Sequence, residues 1–284
     1  MVPDHAQDRE PYRLGPLQSA GDFRKLNQGV DLLIDPSMEQ QIYTVGYAVS
    51  DRLIDEALRL RFQVFNEELG EGLMTSRETG LDRDQYDHQM SHLVLLENAT
   101  QRVIGTYRIQ FVPEALAAAG VYSAQEYDLT PLEPLFPHLV ETGRACVAKD
   151  HRNFAVIMHL WKGIAPFLKM HEARYIFGCC SLTTLDPDDG WRAMRSLRAR
   201  NAFHDTLMAR ATTAFSCGDP ARETDPELAG SVKIPKLFSA YLAMGAKVMS
   251  EPAIDREFGT VDFLVMLDSL VVSYSDLNRL APHR

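Results

Sequence analysis

The sequence predicts one mixed α/β domain with additional segments at its periphery. Strand-like and helix-like segments follow one another as β, α, loop, β, β, β, α, β, insertion, α, β, an order that indicates a sheet with helices packed against it. Of the 284 residues 45% are hydrophobic and 24% are charged, a composition typical of a globular core. No internal repeat is visible. We therefore expect a single domain over residues 42–284, preceded by a polar, mostly irregular arm over residues 1–41.

The first half of the domain has clear start and stop signals. β-branched and aromatic residues predict a strand over 42–49. Ser50 is a favourable N-cap for a helix whose apolar residues recur every three or four positions and which ends at Gly70 and Gly72. An acidic loop follows, and the next segments are predicted as strands over 92–97, 103–112 and 140–148, with a turn at 98–101.

The second half alternates helices and strands around one interruption. The pattern predicts a helix over 154–170, a buried strand over 174–182, a helix between Pro235 and Gly245, and a last strand over 261–268. Proline and glycine at both ends mark residues 186–232 as an insertion. The middle of this insertion, residues 191–214, has helical composition, so we expect a helical insertion.

Composition excludes several classes of function. A formal net charge of −10 disfavours nucleic-acid binding, which needs a cationic surface. The four cysteines lack zinc or disulfide spacing and favour a reducing, cytoplasmic setting. No apolar run reaches the roughly 18 residues of a membrane span, and the first 40 residues lack the apolar core of a signal peptide. His88 and His92 have metal-ligand spacing but no third ligand, so we expect no metal.

Three short motifs resemble those of a known enzyme family. They are Arg61-Phe-Gln-Val-Phe65, Asp82-Arg-Asp-Gln-Tyr-Asp87 and Glu141-Thr-Gly-Arg144, and in this order they resemble the acyl-homoserine-lactone (autoinducer) synthases over about residues 45–182. The resemblance implies the N-acetyltransferase (GNAT) fold, a mixed and mostly antiparallel sheet flanked by helices. Four longer segments, residues 141–147, 160–164, 177–182 and 258–263, resemble the ornithine-lipid N-acyltransferases. The tryptophan that the synthases carry after the first motif is missing, since the tryptophans here are Trp161 and Trp191.

The second resemblance implies an enzyme of aminolipid biosynthesis. Such an enzyme transfers a 3-hydroxy fatty acyl chain from acyl carrier protein to the α-amine of ornithine and forms lyso-ornithine lipid. Glutamine or glycine as the acceptor, an autoinducer synthase, and a non-catalytic acyl-carrier or lipid-binding module remain alternatives.

The identity of the acyl donor is predicted from the absence of a glycine-rich loop. Coenzyme A enzymes of the fold commonly place glycines where the backbone binds the pyrophosphate, and Arg152-Asn-Phe-Ala-Val-Ile157 contains none. Carrier protein presents phosphopantetheine without that pyrophosphate, so we expect acyl carrier protein as the donor and no further cofactor. We also expect a cytoplasmic protein with peripheral contact to the inner membrane.

The motifs contain the candidate site residues. Glu141 is the candidate general base, acting directly or through water, with an ion pair to Arg144 as the structural alternative. Positions three apart share a face of a strand only where it is bulged, so we predict a bulge or splay near 143–145. Backbone N–H groups freed there, from Cys146 or its neighbours, would stabilise the oxyanion. We do not expect Cys146 to act as a nucleophile, because a free cysteine more often behaves as a small core residue.

Charged residues complete the predicted site. The aspartates of the second motif would form an anionic wall and a charge network with nearby arginines, with Asp84, Asp87 and Arg144 assigned to catalysis. Arg61 and Arg108 are candidates for the substrate carboxylate, because guanidinium binds that group through two hydrogen bonds. The remaining predicted substrate-binding residues are Phe65, Asp82, Cys146 and Val147.

A basic run lies in the predicted insertion. Acyl carrier proteins are acidic, so Arg192, Arg195 and Arg198 are candidates for a docking face. The alternative is an ordinary solvated face of a helix.

Overall fold

The computed structural model describes residues 24–25, 32–34 and 42–271. These residues form twelve strands and six α-helices. The strands are β1 Arg24–Lys25, β2 Leu32–Ile34, β3 Tyr43–Ala48, β4 Ser91–Glu97, β5 Arg102–Phe111, β6 Tyr127–Asp128, β7 Leu139–Val147, β8 Tyr175–Leu182, β9 Arg210–Ala211, β10 Lys247–Val248, β11 Ala253–Asp255 and β12 Thr260–Asp268. The helices are α1 Asp51–Phe62, α2 Ser76–Thr79, α3 Val112–Leu116, α4 Phe154–Met170, α5 Pro187–Ala199 and α6 Lys236–Ala243.

Ten of these strands form one sheet in the order β1-β2-β3-β4-β5-β7-β8-β12-β10, with β11 also paired to β12. Neighbours are antiparallel except β7 and β8, which run parallel over Leu139–Glu141 and Tyr175–Phe177. Beyond that point their pairing ends. The mixed, mostly antiparallel sheet predicted from the motifs is confirmed.

The strands β7 and β8 come very close where their pairing ends. A Cβ placed on Gly178 of β8 would lie 2.1 Å from the carbonyl oxygen of Thr142 of β7, far inside van der Waals contact. Only glycine fits this position without moving a strand.

The predicted bulge is present in β7. Gly143 faces Arg108 and Cys146 faces Thr106 of β5, so two residues of β7 stand opposite the single residue Tyr107. The first of the two, Arg144, has a left-handed backbone with φ 50°. The bulge therefore changes which side chains of β7 point to each face of the sheet.

Helices cover both faces of the central strands. The five middle residues of β4 are all buried, and successive side chains of a strand point to opposite faces. Both α1 and α4 pack into the same apolar core as β3, β4 and β5. The Ser50 cap is confirmed, since its hydroxyl accepts a hydrogen bond from Leu53 N at 3.3 Å. The helix continues as a π-helical segment over Gln63–Leu69 and ends at Gly70, whose φ is 71°.

The insertion is less helical than predicted. The helix α5 ends at Ala199, and Asn201 has a left-handed φ of 53°. The following segment pairs with the end of the sheet instead, because His204 N donates to Val248 O at 2.8 Å and Ala209 N donates to Met249 O at 2.6 Å. Tertiary pairing therefore overrides the helical composition of residues 202–214.

Two short strands fall within the predicted arm. The strand β2 pairs with β3, and β1 pairs with β2, so part of residues 1–41 extends the sheet rather than remaining irregular. The rest of the predicted arm, and residues 272–284, lie outside the described residues. Within the described ranges, every helix is too short or too polar to cross a bilayer.

Candidate active site

Six charged side chains from four segments of the chain meet beside the bulge in β7. We call them the arginine–aspartate cluster: Arg61 of α1, Asp82, Asp84 and Asp87 of the acidic loop, Arg108 of β5 and Arg144 of β7. The structure thus brings together all the residues that the sequence analysis placed in a charge network.

The centre of the cluster is Arg61, which the helix α1 carries into the protein interior. Its Nε lies 2.7 Å from Asp82 Oδ2 and its Nη1 lies 2.7 Å from Asp87 Oδ1. Burial alone would raise the pKa of Asp87, but the guanidinium groups of Arg61 and Arg108 hold it well below its ordinary value. Asp87 is therefore ionised throughout the neutral range.

The second arginine, Arg108, joins two of the aspartates. Its Nη1 lies 2.6 Å from Asp84 Oδ1 and 3.2 Å from Asp87 Oδ1. Burial opposes ionisation of Asp84, but Arg108 and Arg144 lower its pKa below the ordinary value. The guanidinium of Arg108 also lies 4.9 Å from the ring centroid of Tyr122, within the range of a cation–π contact.

The third arginine, Arg144, is held less tightly by its partners. Its Nε lies 3.2 Å from Asp82 Oδ2 and its Nη2 lies 3.4 Å from Asp84 Oδ2. Its Nη1 donates to the hydroxyl of Tyr122 at 3.1 Å, and its guanidinium lies 4.2 Å from the ring centroid of Phe258. Among the described residues no acceptor completes a hydrogen bond with Arg144 Nε. Arg144 is nevertheless the arginine of the cluster that a ligand can reach, because its side chain is the most exposed of the three.

Exposure within the cluster is confined to one edge. The side chains of Asp84 and Arg144 are 12% and 8% exposed, whereas the other four members are at most 1% exposed.

The predicted anionic wall needs correction, because three guanidinium groups balance the three carboxylates. The prediction that Arg61 and Arg108 bind the substrate carboxylate finds no support either, since aspartates enclose both guanidinium groups.

Glu141 anchors a neighbouring segment. Its Oε1 accepts hydrogen bonds from Ser123 N at 2.7 Å and from the Ser123 hydroxyl, and its Oε2 accepts from Gln110 Nε2 at 2.5 Å and Tyr122 N at 2.9 Å. A carboxylate has about four acceptor positions, so this buried group is saturated. The contacts differ from the Arg144 ion pair considered from sequence. They also leave no free position for the proton of an amine.

Three further residues were predicted to bind the substrate: Phe65, Cys146 and Val147. Phe65 packs edge-on against Phe258, with ring centroids 5.4 Å apart. Burial raises the pKa of Cys146 to about 12, so its thiol stays protonated and is a poor nucleophile. The carbonyl oxygen of Val147 accepts a hydrogen bond from Arg152 Nε at 2.9 Å.

The arginines of α5 have partners inside the insertion, which favours a structural role over the predicted docking face. Arg195 donates three hydrogen bonds of 2.8–3.1 Å to backbone carbonyl groups of residues 223–228. Arg192 pairs with Asp189 at 2.8 Å, and Arg198 pairs with Glu223 at 2.6 Å. These arginines hold residues 220–229 against α5 and do not form a free basic surface.

The structure also shows a charged site that the sequence analysis missed. Glu126, Asp255 and Asp262 each place a carboxylate oxygen within 4.8 Å of the others, and all three residues are buried. We call them the acidic triad. Glu126 lies more than a hundred positions before Asp255 and Asp262, so no local spacing reveals the group. The one signal in the sequence is Asp262, a charged residue inside the apolar strand Thr260–Asp268.

Comparisons with known proteins agree with this architecture. Residues 60–162 match the family model described as an acetyltransferase (GNAT) domain. The chain is 32% identical over 237 residues to the L-ornithine N(alpha)-acyltransferase of Rhodobacter capsulatus, with 81% of this chain and 92% of the relative covered. It is also 32% identical over 233 residues to the enzyme of that name from Brucella abortus, with 78% and 83% covered.

Similarity to solved structures is weaker. FeeM, an N-acyl amino acid synthase from uncultured soil microbes, superposes with a TM-score of 0.46 and 10% identity, covering 80% of this chain and 91% of FeeM. A likeness of that size carries no argument about function. The sequence relatives and the domain match confirm the GNAT-type fold and the acyltransferase class predicted from the motifs, and they show that the chain belongs to the L-ornithine N(alpha)-acyltransferase family.

Proposed function

We propose that this protein transfers a 3-hydroxy fatty acyl chain from acyl carrier protein to the α-amine of ornithine and so forms lyso-ornithine lipid. The observation that carries the proposal is the match to relatives named L-ornithine N(alpha)-acyltransferase over about four fifths of the chain. In the reaction the neutral amine attacks the thioester carbonyl, the C–S bond breaks, and the carrier thiol leaves with a proton.

The exposed edge of the arginine–aspartate cluster suits an amino acid. We place the substrate carboxylate at Arg144, because it is the arginine of the cluster whose side chain reaches the exposed edge. Asp84, ionised and 12% exposed, is then positioned to accept a hydrogen bond from the α-amine. A free α-amine has a pKa of about 8, so part of it is neutral at neutral pH, and this neutral form is the one that attacks the thioester.

Glu141 receives a different role from the one first predicted. We propose that it is a positioning residue, which holds Ser123 and Tyr122 so that the Tyr122 ring supports Arg108 and Arg144. As a general base it would first have to give up one of its four hydrogen bonds. The oxyanion would be stabilised at the bulge, by N–H groups of residues 144–146 where the ladder with β5 is interrupted.

The start of α4 supports a carrier-protein donor over coenzyme A. In this fold the pyrophosphate of coenzyme A needs backbone N–H groups at a helix N-terminus. Here the side chain of Asn153 already accepts the Val156 N–H at 3.0 Å, and no glycine opens the preceding loop. A direct test compares 3-hydroxyacyl carrier protein with the matching 3-hydroxyacyl coenzyme A, and higher kcat/KM with coenzyme A would refute this choice.

The product carries one fatty chain and one polar head, so it belongs at a membrane surface. We therefore also propose peripheral contact with the inner membrane. Co-sedimentation with vesicles of anionic phospholipid tests this contact, and a protein that stays in the supernatant with product present contradicts it.

The decisive experiment combines the purified full chain with 3-hydroxyacyl carrier protein and one amino acid at a time. Release of the carrier thiol with ornithine, together with the mass of N-acylornithine, supports the proposal. Release with glutamine or glycine alone keeps the chemistry and changes the substrate. Methylthioadenosine formed from S-adenosylmethionine would identify an autoinducer synthase, and binding of the carrier without turnover would indicate a binding module.

A variant pair tests the role of Arg144. We expect Arg144→Gln to raise KM for ornithine about 10- to 100-fold, since a hydrogen bond to a charged group contributes about 1.5–3 kcal/mol. The control is Arg152→Gln, which removes an exposed arginine paired with Glu68 and should leave KM for ornithine unchanged. Equal KM values for the two variants would place the carboxylate elsewhere.

A further inference from the structure

The acidic triad lies in the interior, next to the arginine–aspartate cluster. Glu126 follows the short helical turn at 122–125, Asp255 ends β11, and Asp262 points inward from β12. The three residues are 1%, 7% and 4% exposed. Three carboxyl groups in so small a buried volume repel one another unless a proton or a cation joins them.

Two oxygens of the triad have no hydrogen-bond donor. Within the part of the chain that the structure describes, Glu126 Oε1 and Asp262 Oδ1 are buried and unpartnered. Glu126 Oε2 receives the Cys179 thiol at 3.7 Å and Asp262 Oδ2 receives the Thr260 hydroxyl at 3.2 Å. Glu126 and Asp262 also hydrogen-bond to each other, which requires that the two carboxyl groups share a proton. A buried acceptor with neither a donor nor a shared proton costs about 1–3 kcal/mol, so the triad favours a ligand that brings N–H donors.

The triad also lacks a direct ion pair among the described residues, although Arg144 lies close enough to favour the charged form of Glu126. Among the ion pairs of the described residues, none involves the triad, whereas every aspartate of the neighbouring cluster contacts an arginine. Burial raises the pKa of Glu126 well above its ordinary value and that of Asp262 to about 6. Carboxyl groups with raised pKa values hold protons while no cation is present, and a bound cation would displace those protons.

The triad and the exposed edge of the cluster share a wall. Asp255 Oδ1 accepts the Phe258 N–H at 2.8 Å, and the Phe258 ring lies against the guanidinium of Arg144. On the other side, Glu126 closes the turn that begins at Tyr122, whose hydroxyl accepts a hydrogen bond from Arg144. If the carboxylate of an amino acid is bound at Arg144, the triad is therefore close to the rest of that amino acid.

We infer that Glu126, Asp255 and Asp262 bind the side-chain ammonium of a diamino acid, the δ-ammonium of ornithine. The inference rests on the proposed function and assigns its acceptor specificity to these three residues. An alkylammonium has three N–H donors, and acceptors about 2.8 Å from its nitrogen in tetrahedral directions are about 4.6 Å apart. The three carboxylate oxygens all lie within 4.8 Å of one another, close enough for one ammonium to contact all of them.

A divalent metal is the competing occupant, and the ligand set argues against it. Ca²⁺ takes six to eight oxygen ligands, and Zn²⁺ favours nitrogen and sulfur. The triad offers three carboxylates among the described residues, and the nearby Cys179 thiol stays protonated because burial raises its pKa well above the ordinary value. An ammonium needs only the three acceptors.

The test compares ornithine with norvaline, which has the same carbon chain and no δ-amine. The variants are Glu126→Gln and Asp262→Asn, which keep shape and remove charge. Asp268→Asn is the matched control, since it lies on the same strand in a partly exposed pair with Arg174. For each protein we would measure kcat/KM with 3-hydroxyacyl carrier protein and the rise in Tm caused by each amino acid without donor.

We expect the wild-type protein to prefer ornithine over norvaline by about thirtyfold or more in kcat/KM, because a site built for a polar group rejects an analogue that lacks it. Glu126→Gln and Asp262→Asn should reduce this ratio at least tenfold, mainly through KM for ornithine, with norvaline turnover retained. Ornithine should raise the Tm of the wild type and of Asp268→Asn but not of the two triad variants.

Four results would overturn the inference, and they differ from a failure of the proposed function. Equal use of ornithine and norvaline by the wild type is the first, and an unchanged ratio in both triad variants is the second. Parallel loss of turnover with both amino acids, in folded variants, would indicate a merely structural role. Loss of activity with EDTA, restored by Mg²⁺ or Ca²⁺, would make the triad a metal site. The proposed function itself fails if the wild-type protein does not acylate ornithine, a result that these comparisons report separately.

Discussion

Asp87→Asn tests whether the arginine–aspartate cluster stabilises the fold. Asp87 is fully buried and receives Arg61 Nη1 at 2.7 Å, Arg61 Nη2 at 3.3 Å and Arg108 Nη1 at 3.2 Å. An asparagine would remove the charge and turn one acceptor into a donor that faces guanidinium. Removing one partner of a buried ion pair costs about 3–5 kcal/mol, because the remaining charge is left in the interior.

The assay is thermal unfolding of the two proteins side by side. In a chain of this size each kcal/mol shifts Tm by about 2–4 °C, so Asp87→Asn should lower Tm by roughly 10 °C. The control Asp150→Asn removes an exposed pair with Arg102 and should leave Tm nearly unchanged. Added salt should not reduce the difference, since solvent ions screen buried pairs weakly. An Asp87→Asn protein that unfolds within 2 °C of the wild type, on the order of 1 kcal/mol or less, would refute this reasoning.

Further predictions concern the neighbouring residues. Glu141→Gln should lower the free energy of unfolding by about 1–3 kcal/mol, because the amide nitrogen must face N–H donors such as that of Ser123; calorimetry measures this loss, and an unchanged stability contradicts the anchoring role. Burial lowers the pKa of His92 to about 4, below its unfolded value, so protonation favours the unfolded chain and stability should fall as pH drops from about 6.5 towards 4; urea titrations across this range should show a smaller slope in His92→Gln. Cys146→Ala should keep turnover within a few-fold and iodoacetamide should not inactivate the enzyme at pH 7.5, whereas rapid inactivation that is absent from the variant would restore a catalytic thiol. Arg195→Ala should expose residues 220–229 to protease without raising KM for the carrier protein, and a raised KM in a protease-resistant variant would support docking after all.

Local signals in the sequence were sufficient for the central elements. Phe154–Met170 matches its predicted helix at both ends, because Asn153 caps the start and the apolar period is regular up to Met170. The bulge near residues 143–145 follows from strand geometry together with the expectation that Glu141 and Arg144 share a face of the strand. The acidic loop, the three arginines and their meeting beside the bulge followed from motifs in a fixed order.

Long-range contacts explain what the sequence could not show. Residues 202–209 have helical composition but pair with Val248 and Met249, which lie about 45 residues further along the chain. Arg195 looked like part of a solvated basic face, and only the fold places the carbonyl groups of residues 223–228 beside it. Glu126 and Asp262 are 136 positions apart, so their proximity is a property of the sheet and not of any motif.

The arginine–aspartate cluster also has a consequence for how the protein moves. The loop over residues 81–88 has almost no regular secondary structure, and such loops normally open on their own. If this loop opened, Arg61 and Arg108 would remain in the interior without counter-ions. The loop can therefore detach only when α1 and β5 detach with it. Backbone amides in this loop that are hydrogen-bonded, such as those of Asp82 and Asp84, should then exchange with solvent at the rate of global unfolding, as core strands do.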